Sequence, residues 1–397
     1  MRKLLSLLLS LYHRCLPLVG AVVYRFPSRH IRVIGVTGTK GKSTTLALLF
    51  HIFEHAGYTP ALVSSTSVWI GKERERNTTG NSMPGRFFLQ RFLRKAYDKG
   101  CDIALIEVTS QGVAQFRHYG IDWNDVAFLG IHPEHIEAHG SFEAYRKAKE
   151  SFFSYAAAHT HATCFVYADD PHAASFVRAA GNLEVVFFSQ SDGLRAPTSL
   201  DGAFNQINIA CARRIASREG VDEETIKEAV LSFKGLEGRM QVVCEHPVKG
   251  VVDYAHTPDS LRAVLSHLAS QTDGALICVL GSAGGGRDTW KRPHLGAVAS
   301  EYCDRIIVTN EDPYDEDPRA IMEDIYKGIS DKHKEANTAE IIEDREGAIV
   351  RARSYAKRGD CIVCSGKGSE QSIHSAGGKI IPWSDAEVLG RVCRETN

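Results

Sequence analysis

The sequence predicts a doubly wound α/β fold in two domains, and three observations carry that prediction. A glycine-rich turn joins an apolar run at 31–36 to a helical stretch at 45–57. Short apolar runs then alternate with helical stretches along the chain, as in a mostly parallel sheet covered by helices. The chain's 397 residues also exceed what one core comfortably holds, so two or three domains are expected.

Residues 1–25 come first and stand apart. Leu4 to Leu11 and Leu16 to Tyr24 form two apolar stretches separated by Tyr12-His13-Arg14. The interruption does not fit the single apolar run of a signal peptide. Neither half reaches the roughly 20 residues that span a bilayer. Three readings stand: a helix packed on the protein, an anchor at a membrane surface, or a span. From residue 31 the strands expected in order are 31–36, 102–108, 125–131, 163–167 and 183–188, with helices at 142–158 and 223–233. A break near Gly235-Leu-Glu-Gly238 separates these from a second series of strands at 250–253, 275–280, 305–309 and 360–364. The expected division is a 1–30 apolar helical segment, a central domain at 31–236 and a smaller, Rossmann-like α/β domain at 237–397.

A net charge of −1 and a sequence pI near 7.0 give no global field for nucleic acid or an anionic surface. Ten cysteines show neither a metal-like nor a disulfide framework, and free thiols suit a reducing cytoplasm. Cys361-Ile-Val-Cys364 has C-x-x-C spacing, yet it lies in an apolar run that reads as a buried strand.

The turn after the first strand is Gly38-Thr39-Lys40-Gly41-Lys42-Ser43-Thr44. Strand, glycine loop and helix in that order are what a phosphate-binding loop needs. Backbone N–H groups and the positive helix end cradle phosphate, Lys42 adds a point charge, and the Ser43 hydroxyl can reach magnesium. The strict G-x4-G-K-[ST] pattern is not met, because Val36 stands five before Gly41 and Gly35 lies one further back. The expected ligand is a nucleoside triphosphate, ATP.

The form Thr37-Gly-Thr-Lys-Gly-Lys-Ser-Thr44 resembles the loop of the Mur ligases, which join amino acids to cell-wall precursors. The resemblance narrows to the MurE type through Asn77-Thr-Thr79, Glu107-Val-Thr-Ser-Gln111 and His135-Ile-Glu137 with Tyr145-Arg-Lys-Ala-Lys149. Gly202-Ala-Phe-Asn205-Gln-Ile-Asn208, Gly238-Arg239-Met240 and Val252-Asp-Tyr-Ala-His-Thr-Pro-Asp259 extend it, and Arg287-Asp-Thr-Trp-Lys-Arg-Pro293 and Gly366-Lys-Gly-Ser-Glu370 complete it. These stretches run in family order from about residue 31 onward. The family's N-terminal uridine-nucleotide domain has no counterpart here.

The resemblance implies a central P-loop-type ATPase domain, a peptide ligase acting through an acyl phosphate, ATP, and magnesium as two ions. Catalytic roles fall to Lys42, Glu107, His135 and Lys149. Ser43, Glu107, His135 and Lys149 form the implied metal set, with Lys149 carbamylated by carbon dioxide. That chemistry needs a desolvated lysine whose neutral amine can attack. Gly130 stands where the family has an asparagine. Nucleotide contacts are implied for Gly38 to Thr44, for Asn205 and Asn208 at the adenine side, and for Arg239 and Asp253 in a hinge-closing arrangement. Thr78, Thr79, Thr109, Gln115 and Arg117 would hold a muramyl-peptide-like acceptor. Arg287 would grip the amino acid's carboxylate, with Asp312, Gly366 and Glu370 around its far end. Asn310-Glu-Asp-Pro-Tyr314 replaces the Asp-Asn-Pro-Arg of diaminopimelate-adding enzymes, and Ser369 replaces a histidine. Tyr314 cannot pair with a second carboxylate, whereas Glu311, Asp312, Asp315, Glu316 and Asp317 suit a cationic side chain such as lysine or ornithine.

Two other readings stay open. A polyglutamate-, folylpolyglutamate- or cyanophycin-type ligase would keep the chemistry on a non-muramyl acceptor. A non-catalytic ATP-binding scaffold would keep only the loop. The expected setting is a cytoplasmic monomer without nucleic acid, with peripheral membrane contact through residues 1–25 the one departure weighed.

Overall fold

A computed structural model describes residues 2–85, 87–134, 139–194, 198–200, 202–286 and 288–394, with side chains from residue 12. His135 and Arg287 lie outside the described residues. The chain folds into two compact units, Met1–Lys234 and Gly235–Asn397.

The first unit opens with α1 (Arg2–Val23) and continues with β1 (Arg32–Thr37), α2 (Lys42–His55), β2 (Pro60–Val63), β3 (Ser67–Ile70), β4 (Glu73–Arg76) and α3 (Phe87–Asp98). Next come β5 (Ile103–Glu107), α4 (Ser110–Ala114), β6 (Asp125–Phe128), α5 (Phe142–His159), β7 (Thr163–Tyr167), α6 (Ala173–Ala180), β8 (Glu184–Phe188), α7 (Ala203–Arg218) and α8 (Glu223–Ser232). Its eight-stranded sheet runs β4-β3-β2-β5-β1-β6-β7-β8. In that order the six strands β2, β5, β1, β6, β7 and β8 pair in parallel, and β3 runs antiparallel to both β2 and β4. The parallel strands are short, apolar and buried, which is why they read clearly in sequence. β4 is Glu-Arg-Glu-Arg and fully exposed. Such a charged edge strand carries no hydrophobic signal, and the sequence reading did not anticipate it.

Register places the chemistry. Val36 of β1 pairs with Glu107 of β5 on one side and with Ala127 of β6 on the other. The loop after β1 therefore meets the ends of β5 and β6 where the strand order reverses, the place where open α/β sheets bind ligands. Gly35 serves packing instead, since a Cβ there would lie 2.7 Å from Trp123 and 2.8 Å from Phe152. A cleft of about 430 Å³ at the opposite end of the strands, lined by Ser28, Arg32, Asp102 and Asn124, includes none of the loop.

The second unit comprises β9 (Gln241–Cys244), β10 (Lys249–Asp253), α9 (Pro258–Gln271), β11 (Leu276–Leu280), α10 (Lys291–Tyr302), β12 (Arg305–Val308) and α11 (Pro318–Lys327). It ends with α12 (Asp331–Glu335), β13 (Ala339–Ile341), α13 (Arg345–Tyr355), β14 (Cys361–Ser365), the hairpin β15 (Ser372–Ser375) and β16 (Lys379–Pro382), and α14 (Asp385–Arg394). Its sheet order is β13-β12-β11-β14-β10-β9, parallel apart from β9. Cys361 and Cys364 are both buried, and they pack into separate clusters of that unit. Residues three apart on a strand point to opposite faces, so this C-x-x-C cannot chelate.

Two sequence expectations are corrected. The first concerns not the helix expected over residues 1–25, which stands as α1 through His13 and Arg14 with Pro17 inside it, but only how its polar middle reads: the apolar run is interrupted there and the helix is not. Cys244 and Cys393 are paired as a disulfide across 149 residues, because β9 and α14 pack together; the other eight cysteines are free. Their spacing in sequence gave no hint of that contact.

Candidate functional site

The loop between β1 and α2 is shaped by its glycines. Gly41 takes φ +82°, and a Cβ there would lie 2.1 Å from Asn208 Oδ1. No side chain caps the N-terminus of α2, so its first turn faces the loop with the dipole's positive end. Thr39 N donates to the Gly130 carbonyl at 2.9 Å, a contact that a backbone oxygen makes without a side chain. Lys42 folds back onto the Gly38 and Thr39 carbonyls at 3.1 and 3.0 Å.

A buried polar constellation lies behind the loop. Ser43 Oγ donates to Glu107 Oε2 at 2.8 Å, Ser65 N donates to the same oxygen at 2.9 Å, and the Ser43 and Ser65 hydroxyls are 2.9 Å apart. Lys149 reaches in from α5 and is 2% exposed. It donates to the Gly38 carbonyl at 2.8 Å and the Thr37 hydroxyl at 3.3 Å. Burial, reinforced by the nearby Lys42 charge, holds its amine well below the usual lysine range, while Glu134 and Glu107 oppose the shift. Tyr145, one turn earlier on α5, meets the Thr39 hydroxyl at 3.0 Å. His139 Nε2 lies 3.1 Å from Ser110 Oγ, and desolvation followed by the Lys149 charge lowers its pKa.

Asn205 and Asn208 sit on α7. Asn208 Nδ2 donates to Asn205 Oδ1 at 2.9 Å, and its own Oδ1 accepts from the Thr45 hydroxyl at 3.3 Å. The pair thus props the first turn of α2. On the acceptor side, Thr109 caps α4 by accepting from Gly112 N at 3.1 Å. Gln115 Oε1 accepts from Arg117, whose guanidinium also reaches the Met83 carbonyl. Thr79 donates to Asn77 Oδ1 at 2.6 Å, and Asn77 in turn donates to Ser64 O. Thr78 lies in the same exposed turn.

The second unit builds its own cluster at the ends of β10, β14, β11 and β12. Asp253 pairs in register with Ser365, and Gly366 N donates to the Asp253 carbonyl at 3.1 Å. The buried Asp253 carboxylate accepts from Met240 N and Ala255 N, each at 2.7 Å. Burial raises its pKa against the pull of Arg239 and those amides. Arg239 stacks over Tyr254 at 4.2 Å. Gly366 has φ +104°, and a Cβ there would lie 2.2 Å from Glu311 Oε2. Buried Lys367 donates to Asp312 at 2.9 Å and Glu370 at 2.7 Å. Burial alone would lower this lysine's pKa, but Glu370 and Asp312 together raise it. Asp312 and Glu370, expected around the amino acid's far end, thus both accept from Lys367. Tyr314 stacks on His374 at 5.4 Å.

Ser65 and Lys367, which these contacts bring to the fore, were not singled out in the sequence reading. Ser65 follows β2 in Ser64-Ser65-Thr66, at the end of a strand where ligand groups collect. Lys367 stood inside a quoted stretch, Gly366 to Glu370.

A hydroxyl, a carboxylate and a desolvated amine around a glycine loop at the ends of parallel strands suit a nucleotide-phosphate site. The description "Mur ligase middle domain" matches residues 36–214, and "Mur ligase, glutamate ligase domain" matches 238–368. Over 415 residues the chain is 32% identical to the UDP-N-acetylmuramoyl-L-alanyl-D-glutamate--2,6-diaminopimelate ligase of Bacillus velezensis, covering 97% of this chain and 82% of that protein. A solved structure of a ligase of that name superposes with a TM-score of 0.62 at 27% identity, covering 91% of this chain and 78% of the other. Mycobacterium tuberculosis folylpolyglutamate synthase, complexed with ADP and AMPPCP, superposes at 0.69 over 92% and 95% of the chains; at 17% identity that is a likeness of fold. This chain belongs to the Mur ligase family and resembles most its MurE type.

Proposed function

We propose that the chain is an ATP-dependent amide ligase of peptidoglycan precursor synthesis, adding an amino acid to a muramyl-dipeptide-like acceptor. The observation that carries this reading is the buried Lys149, held beside a glycine loop whose Ser43 converges with Glu107. The relatives' names favour the muramyl acceptor over a polyglutamate or folate one. A scaffold would have no use for a desolvated amine at a phosphate loop.

Amide formation needs an activated carboxylate, because its oxygen is a poor leaving group. Transfer of the ATP γ-phosphoryl to the acceptor carboxylate gives an acyl phosphate, and the amino acid's amine then displaces phosphate. The amides of Gly38 to Thr44 orient the phosphates, and Lys42 offsets their charge. Asn205 and Asn208 hold the loop's helix in place. Hard oxygen donors suit magnesium, and Ser43 and Glu107 converge as such donors, so the residues present fit that ion. Magnesium would neutralise charge between the phosphates and the carboxylate. The resemblance adds His135 and Lys149 to the set. A neutral Lys149 amine that takes up carbon dioxide releases one proton and becomes a carbamate, turning an amine into an oxygen ligand.

Arg239 and Asp253 are assigned to the triphosphate by resemblance. Thr78, Thr79, Thr109, Gln115 and Arg117 are assigned to the acceptor, and Arg287, Asp312, Gly366 and Glu370 to the amino acid. Arg117 donates from Nε and Nη2 to Gln115 Oε1, which fixes the direction of its guanidinium. Phosphate release with muramyl dipeptide acceptors, with and without the uridine nucleotide, tests the reading. Release that needs both acceptor and amino acid supports it, whereas equal release with a folate or polyglutamate acceptor contradicts it.

A further inference from the structure

The outer face of α1 has no role in ligation, and we propose that it binds an anionic lipid surface. The helix is 22 residues long, about 33 Å at the usual rise. One face is packed on the first unit. Pro17, Gly20 and Ala21 are buried, a Cβ on Gly20 would lie 3.3 Å from Gln90 of α3, and a Cβ on Gly120 would lie 3.0 Å from Ala21. The Arg14 guanidinium sits over the Phe116 ring at 4.5 Å, tying down the helix's middle.

The opposite face is apolar and open. Leu18, Val19, Val22 and Val23 are 44%, 47%, 61% and 59% exposed, and Tyr12 is exposed with them. Among the described residues, five of thirteen exposed large hydrophobics fall within these twelve positions. A soluble helix turns its polar side outward, so this arrangement is inverted. In sequence, leucines at 4, 8 and 11 fall at helical spacing before Cys15, Leu18 and Val22.

Charge selects the occupant. No acidic residue occurs before Glu54, whereas Arg2, Lys3, Arg14, Arg25 and Arg29 all fall in the first thirty positions. Arg14, at the helix's middle, and Arg25, just past its end, are exposed. A second copy would bring the same positive charges together, and an anionic headgroup layer would neutralise them. Among the described residues no helix is long and apolar enough to cross a membrane.

Co-sedimentation of the full chain with vesicles tests this. Vesicles of equimolar phosphatidylcholine and phosphatidylglycerol are expected to retain it about tenfold or more better than phosphatidylcholine alone, and high salt should weaken retention. The double substitution Val19→Glu, Val22→Glu should remove retention while leaving the thermal midpoint unchanged, since both side chains are exposed. No retention on anionic vesicles, or equal retention on both, would overturn the proposal. So would a wild-type dimer that the double substitution splits, seen by sedimentation velocity without vesicle binding; that result would assign the face to a second copy.

Discussion

Two buried lysines, one in each unit, show how partners rather than burial decide what an amine is for. Lys149 and Lys367 are 2% and 0% exposed. Lys367 bonds two carboxylates and stays a cation, with its pKa raised. Lys149 meets a carbonyl and a hydroxyl, stands near another cation, and has its pKa depressed. The first is a structural charge, and the second, on the proposed reading, is an amine kept ready to react. Desolvation acts on both, and the neighbours set the sign.

The sharpest break of this contrast is at Lys42, the cation that helps depress Lys149. Lys42→Ala is expected to reduce ATP-dependent ligation a hundred- to thousandfold or more, as the phosphoryl group loses its charge partner. Steady-state phosphate release measures it, and unchanged turnover would remove the phosphate-loop assignment.

Next in size is Lys367→Met. Removing one partner of a buried pair typically costs about 3–5 kcal/mol, and about 3 kcal/mol is expected here because Glu370 is partly solvated. Denaturant unfolding reads it. The pH dependence has a definite sign. A lysine whose folded pKa is raised contributes fully below its ordinary value near 10.4, and that contribution fades as pH rises through the folded value. The variant should therefore lose the alkaline fall that Lys367 causes.

A third test concerns the amino acid. No arginine stands at 314, where Tyr314 stacks on His374. A second carboxylate on the incoming amino acid would then lack its bidentate partner. L-lysine is expected to be preferred over meso-diaminopimelate by about tenfold to a hundredfold in kcat/KM, roughly 1.5–3 kcal/mol. Tyr314→Arg should shift the preference toward diaminopimelate. A native preference for diaminopimelate would contradict this and point to another cation.

The smallest effect is expected from Lys149→Met on stability, within about 1 kcal/mol, because the depressed amine gains little from its site. Its folded pKa lies below the ordinary value, so its contribution to stability rises with pH between the two values. The variant should lack that rise.

Much of the fold was legible because its parallel strands are short, apolar runs bounded by turns, and β1, β5 and β7 fell where the runs stood. The phosphate loop was legible for the same reason, since Gly38 to Thr44 sits between a run and a helix. Lys149 was legible only by resemblance, because nothing in Ala148-Lys149-Glu150 says that α5 buries it. Ser65, the Thr39–Tyr145 contact and the Lys367 bridges join segments distant in sequence. Tertiary packing alone creates them. β4 was missed because a charged edge strand has no hydrophobic period.

The account turns on Lys149 being a neutral amine that takes up carbon dioxide. Carbon-13 NMR of the full chain equilibrated with labelled bicarbonate and magnesium tests this directly. A carbamate resonance that disappears in Lys149→Ala is predicted, together with partial recovery of that variant's activity by short carboxylates. No carbamate signal, or one that persists without Lys149, would contradict the account.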